Sequence, residues 1–400
     1  MNIRRMVSTA CSILLCMIIL CSCSSQGDSV PDEKSGRTEP DTAFDSVMRE
    51  NAEKVVQCYD HILKEKQQGG VMSVDVMKEV LKSLGKAGYA AVDVDNQVDM
   101  VNSDQAESFC RQVEQKKEAD LIIVAVRYSG DFIYYNFTAK DGKVEVSRNS
   151  ILWNNGEPKF QFQENYSAHT WVYTKEGYLF FEKYHPGGYD GPDGHTAIRV
   201  GALDEKCREM NRKYIRIIGY GVNNMFITDW SEADYESLDF YDMYECLYPI
   251  DMGQPFPYEI DYVGKYYDIS RAEFEKIIMD YFQIDSVNLQ QKTHYNADSQ
   301  TYRYRTRGIH DCGYTMNIPY PEVVSMEEQE DGTIKLKVNA VWPHKNLECA
   351  FAHEVVIRPL SDGRFQYVSN HVIPSGHNVS TIWYRNRMTD EEWQQRYGSS

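Results

Sequence analysis

From Leu121 to Tyr184 the apolar residues recur at every second position, and that alternation commits the stretch to a sheet with one face buried. The segments Leu121–Tyr128, Phe132–Thr138, Lys143–Ser147, Lys159–Gln163, Thr170–Thr174 and Tyr178–Tyr184 read as strands. Between them stand Gly130-Asp131, Asp141-Gly142, Asn155-Gly156 and Glu176-Gly177, pairs that tolerate the positive φ of tight turns. Connections so short join antiparallel neighbours, so the expectation is a curved antiparallel meander.

The chain before this sheet has helical spacing. Phe44, Met48, Val55, Tyr59 and Ile62 fall at three- and four-residue steps over Phe44–Lys66, which Gly69-Gly70 ends. A second helix follows Ser73 with Val74, Met77, Leu81 and Leu84 on one face. A third runs from Ser103 to about Glu118 and buries Ala106, Phe109, Cys110 and Val113. After the sheet, Leu203–Tyr214 and Ser231–Tyr248 also read as helical. Pro249 to Pro257, around Gly253, then punctuates the chain and places a domain boundary near residue 262. Beyond it Ser270-Arg271-Ala272-Glu273 forms a capping box, with Ile269 and Phe274 as its hydrophobic staple. Hairpins follow: Val323–Glu328 with Thr333–Trp342 around Asp331-Gly332, and Phe351–Arg358 with Arg364–Asn370 around Asp362-Gly363. The expected class is α+β. Residues 42–262 pack N-terminal helices on the antiparallel meander, and 263–400 form a C-terminal helix-on-antiparallel-sheet roll.

The first 41 residues carry an address rather than a fold. Arg4 and Arg5 precede an apolar run, Cys11 to Leu20, too short to span a bilayer. Leu20-Cys21-Ser22-Cys23 closes it. This resembles the lipobox of bacterial lipoproteins, which implies removal of a signal peptide, residues 1–22, and a diacylglycerol thioether and palmitate on Cys23. Leu20 and Ser22 suit positions −3 and −1 of that cleavage, while Cys21 departs from the usual small residue at −2. Residues 23–41, rich in Ser, Gly, Pro and charge, are a flexible tether. The resulting expectation is a protein lipid-anchored on the extracellular face of the cell membrane. The formal charge of −18 argues against nucleic acid as a partner and leaves an unknown surface protein or glycan.

Six features invite chemistry. The loop His185-Pro186-Gly187-Gly188-Tyr189-Asp190-Gly191-Pro192-Asp193-Gly194-His195 projects two imidazoles and two carboxylates, so His185, Asp190, Asp193 and His195 could gather a divalent cation. It lacks the EF-hand spacing, and its plainer reading is a turn whose Asp side chains accept backbone N–H groups. No cofactor is assigned beyond that cation. Arg303, Arg305 and Arg307 alternate with Tyr302, Tyr304 and Thr306, which makes a stripe for an anion or, more plainly, cross-strand partners for acids. His310-Asp311-Cys312-Gly313 suggests a nucleophilic cysteine, yet Gly313, Pro319 and Pro321 cannot continue a helix that would lower its pKa. Six cysteines lie beyond the lipobox, and Cys312–Cys349 is the disulfide to test, both falling in the C-terminal domain. Tyrosine, 29 residues, fits sugar stacking or ordinary strand packing. Asp229 to Asp261 holds ten acids and no Lys or Arg, set after the basic Lys206, Arg208, Arg212, Lys213 and Arg216, which reads as two segments that neutralise each other or as an acidic surface for a cation or basic partner.

The stretches Gly177–Val200, Asp204–Tyr214 and Ile218–Tyr248 (IGYGVNNMFITDWSEADYESLDFYDMYECLY) give the chain its family character. They resemble a family of uncharacterised bacterial lipoproteins of Gram-positive gut bacteria, classed as a domain of unknown function. That resemblance implies no activity or catalytic residues. The functional expectation is a non-catalytic ligand- or partner-binding module at the cell surface. The alternative is a cell-envelope hydrolase acting on peptidoglycan or glycan.

Overall fold

Alternation, turn pairs and helical stripes are realised as an α+β protein. The computed structural model describes residues 42–398 apart from 67–69, 155–156, 190–193, 236, 260, 314–316 and 378. The lipobox with Cys23 and the tether therefore lie outside the described residues. The chain forms two compact units: one runs to His185 and takes in Ile198–Ala202, the other holds Pro186–Ala197 and everything from Leu203. The division thus falls near residue 200 instead of 262. Its reason is visible in the pairing of Trp230–Ser231 with Ser369 and Asn370, which draws residues before 262 into the C-terminal sheet.

The first unit holds α1 (Thr42–Gln57), α2 (Asp60–Lys66), α3 (Val74–Lys86), β1 (Ala90–Asp93), α4 (Ser103–Glu114), β2 (Ala119–Val126), β3 (Phe132–Lys140), β4 (Lys143–Asn154), β5 (Glu157–Tyr173) and β6 (Tyr178–Lys183). Its sheet runs in sequence order from β1 through β6 to β7 (His195–Arg199). Three expectations change. The single N-terminal helix is broken at Cys58-Tyr59, where Tyr59 is fully buried and donates to Gly130 O at 2.9 Å. The short run Ala90–Asp93, buried on both faces, is a strand parallel to β2. The two predicted strands around 160 and 171 are one long strand, β5, which pairs with β4 in its first part and with β6 in its second.

Helices cover both sides of this sheet. Phe109 and Cys110 of α4 pack on Leu121, Ile123, Tyr135, Phe137 and Phe181. The opposite face, with Val124, Phe132 and Tyr134, takes Val55 of α1 and Met77, Leu81 and Leu84 of α3. Each such fully buried large side chain contributes about 1.5–3 kcal/mol over its exposed state. The N-cap of α3 is Ser73, whose hydroxyl accepts from Val76 N at 3.3 Å.

The second unit holds α5 (Glu205–Met210), which continues into a π-helical turn over Asn211–Ile215, then β8 (Trp230–Ser231), α6 (Phe240–Met252), β9 (Tyr266–Ser270), α7 (Arg271–Tyr281) and α8 (Ser286–Gln291). It continues with β10 (Tyr295–Asn296), β11 (Thr301–Arg305), β12 (Tyr320–Glu328), β13 (Ile334–Val341), β14 (Ala352–Pro359), β15 (Phe365–Ile373) and α9 (Asp390–Tyr397). Two antiparallel sheets result, ordered β10-β11-β9 and β12-β13-β14-β15-β8. Helices α6 and α7 share one core with them through Tyr244, Leu247, Phe274 and Ile277. The capping box is half made: Ser270 Oγ accepts from Glu273 N, but the Glu273 carboxylate is taken by the hydroxyls of Tyr244 and Tyr258. Ile269 and Phe274 are both buried in the same core, as a staple requires. Tyrosine here is core material: Tyr302 donates to Glu275 and Tyr304 to Glu245, each at 2.7 Å, and Tyr367 to Tyr214 O at 2.6 Å. No helix among the described residues is long and apolar enough to cross a membrane.

Candidate functional site

The arginine stripe does not stay open to an anion. Arg303 is exposed, lies 4.4 Å over the Tyr266 ring and stands opposite Asp268 in the strand register. Arg305 and Arg307 are buried. Arg305 Nη1 reaches Asp311 Oδ2 at 2.6 Å, and Arg307 meets both oxygens of Asp242 through Nε and Nη2 at 2.6–2.9 Å. Arg387 adds contacts to Asp242 at 2.6 Å and Glu245 at 2.7 Å. A charge buried this deeply survives only when paired, so these guanidiniums are structural. The same network answers the acidic run. Asp242 and Glu245 meet Arg307 and Arg387, Asp251 meets Lys276, and Glu232 meets Arg358. Cations from the C-terminal part balance it, while Arg212 of the Lys206–Arg216 segment meets Glu205.

Cys312 and Cys349 are separate thiols, as are all six described cysteines. They face different surroundings: Arg307, Asp311, Glu245 and Arg387 around Cys312, Lys337 and Glu348 around Cys349. Burial pushes every one of the six thiols up, Cys110 to about 12, which disfavours thiolate and nucleophile alike.

Asp190 and Asp193 lie outside the described residues. His195 packs edge-on against His344, ring centroids 4.6 Å apart. Among the described residues no group of three or more His, Cys, Asp or Glu is arranged to hold a metal ion. His353, in β14, is the centre of a buried hydrogen-bonded set. Asn370 Nδ2 donates to Thr228 O at 2.8 Å, so its Oδ1 faces His353 Nδ1 at 2.7 Å as an acceptor. That makes Nδ1 the protonated nitrogen and leaves Nε2 to accept from the Tyr220 hydroxyl at 3.1 Å. Burial pulls the His353 pKa down to about 3, opposed by the Asn370 hydrogen bond. The ring stacks on Phe226 at 5.0 Å and is a neutral core histidine.

A different pair of arginines, in the first unit, is less completely accounted for. Arg127 follows β2 and is aimed along the α4-covered face by a hydrogen bond from Nη2 to Ser150 Oγ at 3.1 Å; that hydroxyl donates to Gln161 Oε1 at 3.0 Å. Arg148 lies on the same face of β4, opposite Tyr135 on β3 and Glu164 on β5. Its guanidinium sits 4.9 Å over the Phe162 ring. Ser150 and Arg148 are two residues apart on one strand face, about 7 Å. Both arginines are half-buried, and the buried atoms Arg127 Nη1 and Arg148 Nε have no acceptor among the described residues. The neighbouring acids are engaged elsewhere. Glu164 takes Lys183 Nζ at 2.9 Å, and Asp131 accepts from Trp153 N at 2.9 Å and Ser129 Oγ at 2.8 Å. Burial pulls the Arg127 pKa below its ordinary value, and Arg148 pushes the same way against Asp131 and Tyr135. Inner residues of β2 and β3 are fully covered, whereas Phe162, Glu164 and Tyr166 of β5 are only half-buried, so this end of the face reaches solvent. Its chemistry is donation to an oxygen acceptor beside aromatic surface. Only strand register brings together two arginines 21 positions apart, so no local motif signals them.

A family model described as a family of unknown function, DUF6070, matches residues 45–387. The chain belongs to the DUF6070 family. Neither the curated proteins nor the solved structures give a match. The matched span of this DUF6070 chain takes in both units, the Asp242 network and the Arg127–Arg148 pair.

Proposed function

We propose that this DUF6070 protein is a bacterial lipoprotein held at the extracellular face of the cell membrane through lipid on Cys23, and that its folded part is a non-catalytic ligand- or partner-binding module. One observation supports the binding reading above all. The groups that would do chemistry are consumed in structure, Asp242 by Arg307 and Arg387, His353 by Tyr220 and Asn370, while the polar atoms left over at Arg127 and Arg148 are donors beside an aromatic ring. Donors of that kind recognise a ligand; alone they supply neither nucleophile nor base.

The anchor is tested by metabolic labelling with a palmitate analogue. Label on the full chain that disappears in Cys23→Ala, with the variant recovered in the medium, supports it; equal labelling of both contradicts it. The binding reading is tested by incubating the folded part with cell-wall sacculi and with intact surface glycan. Release of new reducing ends or free amines would overturn it in favour of an envelope hydrolase, and retention without release is the expected result.

A further inference from the structure

We infer that Arg127 and Arg148 form a binding site for an oxyanion, a phosphate or carboxylate group, carried on a flat apolar body that lies against Phe162 and Tyr166. The inference rests on the binding reading above and names its ligand class. Four features carry it. Two guanidiniums share one sheet face with no ion-pair partner among the described residues, although Glu164 and Asp131 stand close by. Each arginine keeps a buried N–H with no protein acceptor, Nη1 of Arg127 and Nε of Arg148. A buried donor in that condition is unfavourable, more so when it belongs to a charged group, and an oxyanion between the two removes both penalties together.

The third feature is pre-organisation. Arg127 is fixed by Ser150, which is itself fixed by Gln161, and the Arg148 guanidinium carbon lies over Phe162, 4.9 Å from the ring centroid. Planar forks held in this way match the geometry of carboxylate and phosphate oxygens, which a lysine ammonium does not. The fourth is the surrounding surface. Phe162 and Tyr166 are half-buried on the same face as Arg148, so an anion between the arginines carries its organic part across aromatic rings. Tyr135 and Tyr166 add phenolic hydroxyls to this face. Burial holds their neighbourhood dry enough to push the Tyr166 hydroxyl well above its ordinary value, so it remains a donor. In so acidic a chain, two arginines without acid partners stand out from Arg305, Arg307 and Arg387, all of which have them.

The test uses the folded part of the chain and three probes: inorganic phosphate, phenyl phosphate and benzoate, titrated calorimetrically. The expected result is saturable binding in which phenyl phosphate exceeds inorganic phosphate, because the ring adds contact with Phe162. Preference between phenyl phosphate and benzoate separates a phosphate ligand from a carboxylate one. Arg127→Gln and Arg148→Gln should each weaken binding roughly ten- to a hundred-fold, the loss of one charge-assisted hydrogen-bonded group. Arg111→Gln, which removes the same charge from the solvent face of α4, should leave it unchanged. A second measurement needs no variant. Phenyl phosphate should protect Arg127 and Arg148, and not Arg111, from phenylglyoxal in the native chain, read by peptide mass. Absence of saturable binding by all three probes, or binding and protection that ignore these two arginines, overturns the inference. Either outcome leaves the sacculus and labelling results, and the binding reading they test, standing.

Discussion

His353 turns a feature of the core into a pH response that can be measured. Its ring is fully buried, neutral, and hydrogen-bonded at both nitrogens, so the folded state takes up no second ring proton until pH falls to about 3. In the unfolded chain the same imidazole protonates near its ordinary pKa of about 6.5. Between those values the unfolded state binds one more proton than the folded state, so stability falls as pH falls. The slope approaches about 1.4 kcal/mol per pH unit well below 6.5, and because the unfolded ring is half protonated at 6.5 the loss between pH 6.5 and 5 from this residue alone is about 1.6 kcal/mol. Glu and Asp residues contribute their own slopes, Asp242 within this same range because burial raises its carboxyl to about 7, so the informative quantity is the difference between wild type and His353→Gln. That variant keeps polar atoms toward Tyr220 and Asn370 but cannot take up the proton. The assay is urea unfolding between pH 7.5 and 5, followed by hydrogen exchange of the β14 amides so that the second unit is read by itself. Wild type should lose about 1.6 kcal/mol more than His353→Gln across pH 6.5 to 5, whatever the variant's stability at pH 7.5. Equal slopes would mean that His353 takes up its proton in the folded state too, and the hydrogen-bonded set as described would be wrong.

Other expectations concern the ion network and close backbone approaches. Asp242→Asn leaves Arg307 and Arg387 buried against a neutral side chain and should destabilise the second unit by about 3–5 kcal/mol in the same unfolding assay. Removing Asp242 together with both arginines as apolar residues should recover part of that loss, which a triple variant measures. Gly313→Ala would place a Cβ about 2.1 Å from the Trp383 carbonyl carbon, so the 379–388 segment must shift; faster protease cleavage there, with α4 exchange unchanged, is the expected readout. Raising pH to 9 with a thiol reagent should label Cys110 far more slowly than a cysteine in an unfolded chain, because burial lifts its pKa to about 12.

Much of the fold is legible where structure follows from local chemistry. Ser270 caps α7 and Ile269 and Phe274 staple it because those contacts join near neighbours in sequence. Asp141-Gly142 turns as its residue types require, with φ of 51° and 79°. What the sequence hides depends on long-range register. β1 is four residues long, and its parallel pairing with β2 leaves no alternation to read. The break between units lies in a different place from the proline-rich stretch because β8 joins β15 across more than a hundred residues. The candidate site shows the same limit. Arg303, Arg305 and Arg307 form a visible stripe, but whether a guanidinium meets solvent or Asp242 is decided by α6, far away in sequence. Arg127 and Arg148 form no stripe at all, and β-sheet register brings them to one face.

The measurement that bears most directly on this account is the phenylglyoxal footprint of the native chain with and without phenyl phosphate. Protection confined to Arg127 and Arg148, rising with phenyl phosphate concentration to saturation, is the result predicted. Modification of both arginines at an unchanged rate, at every concentration, would contradict it.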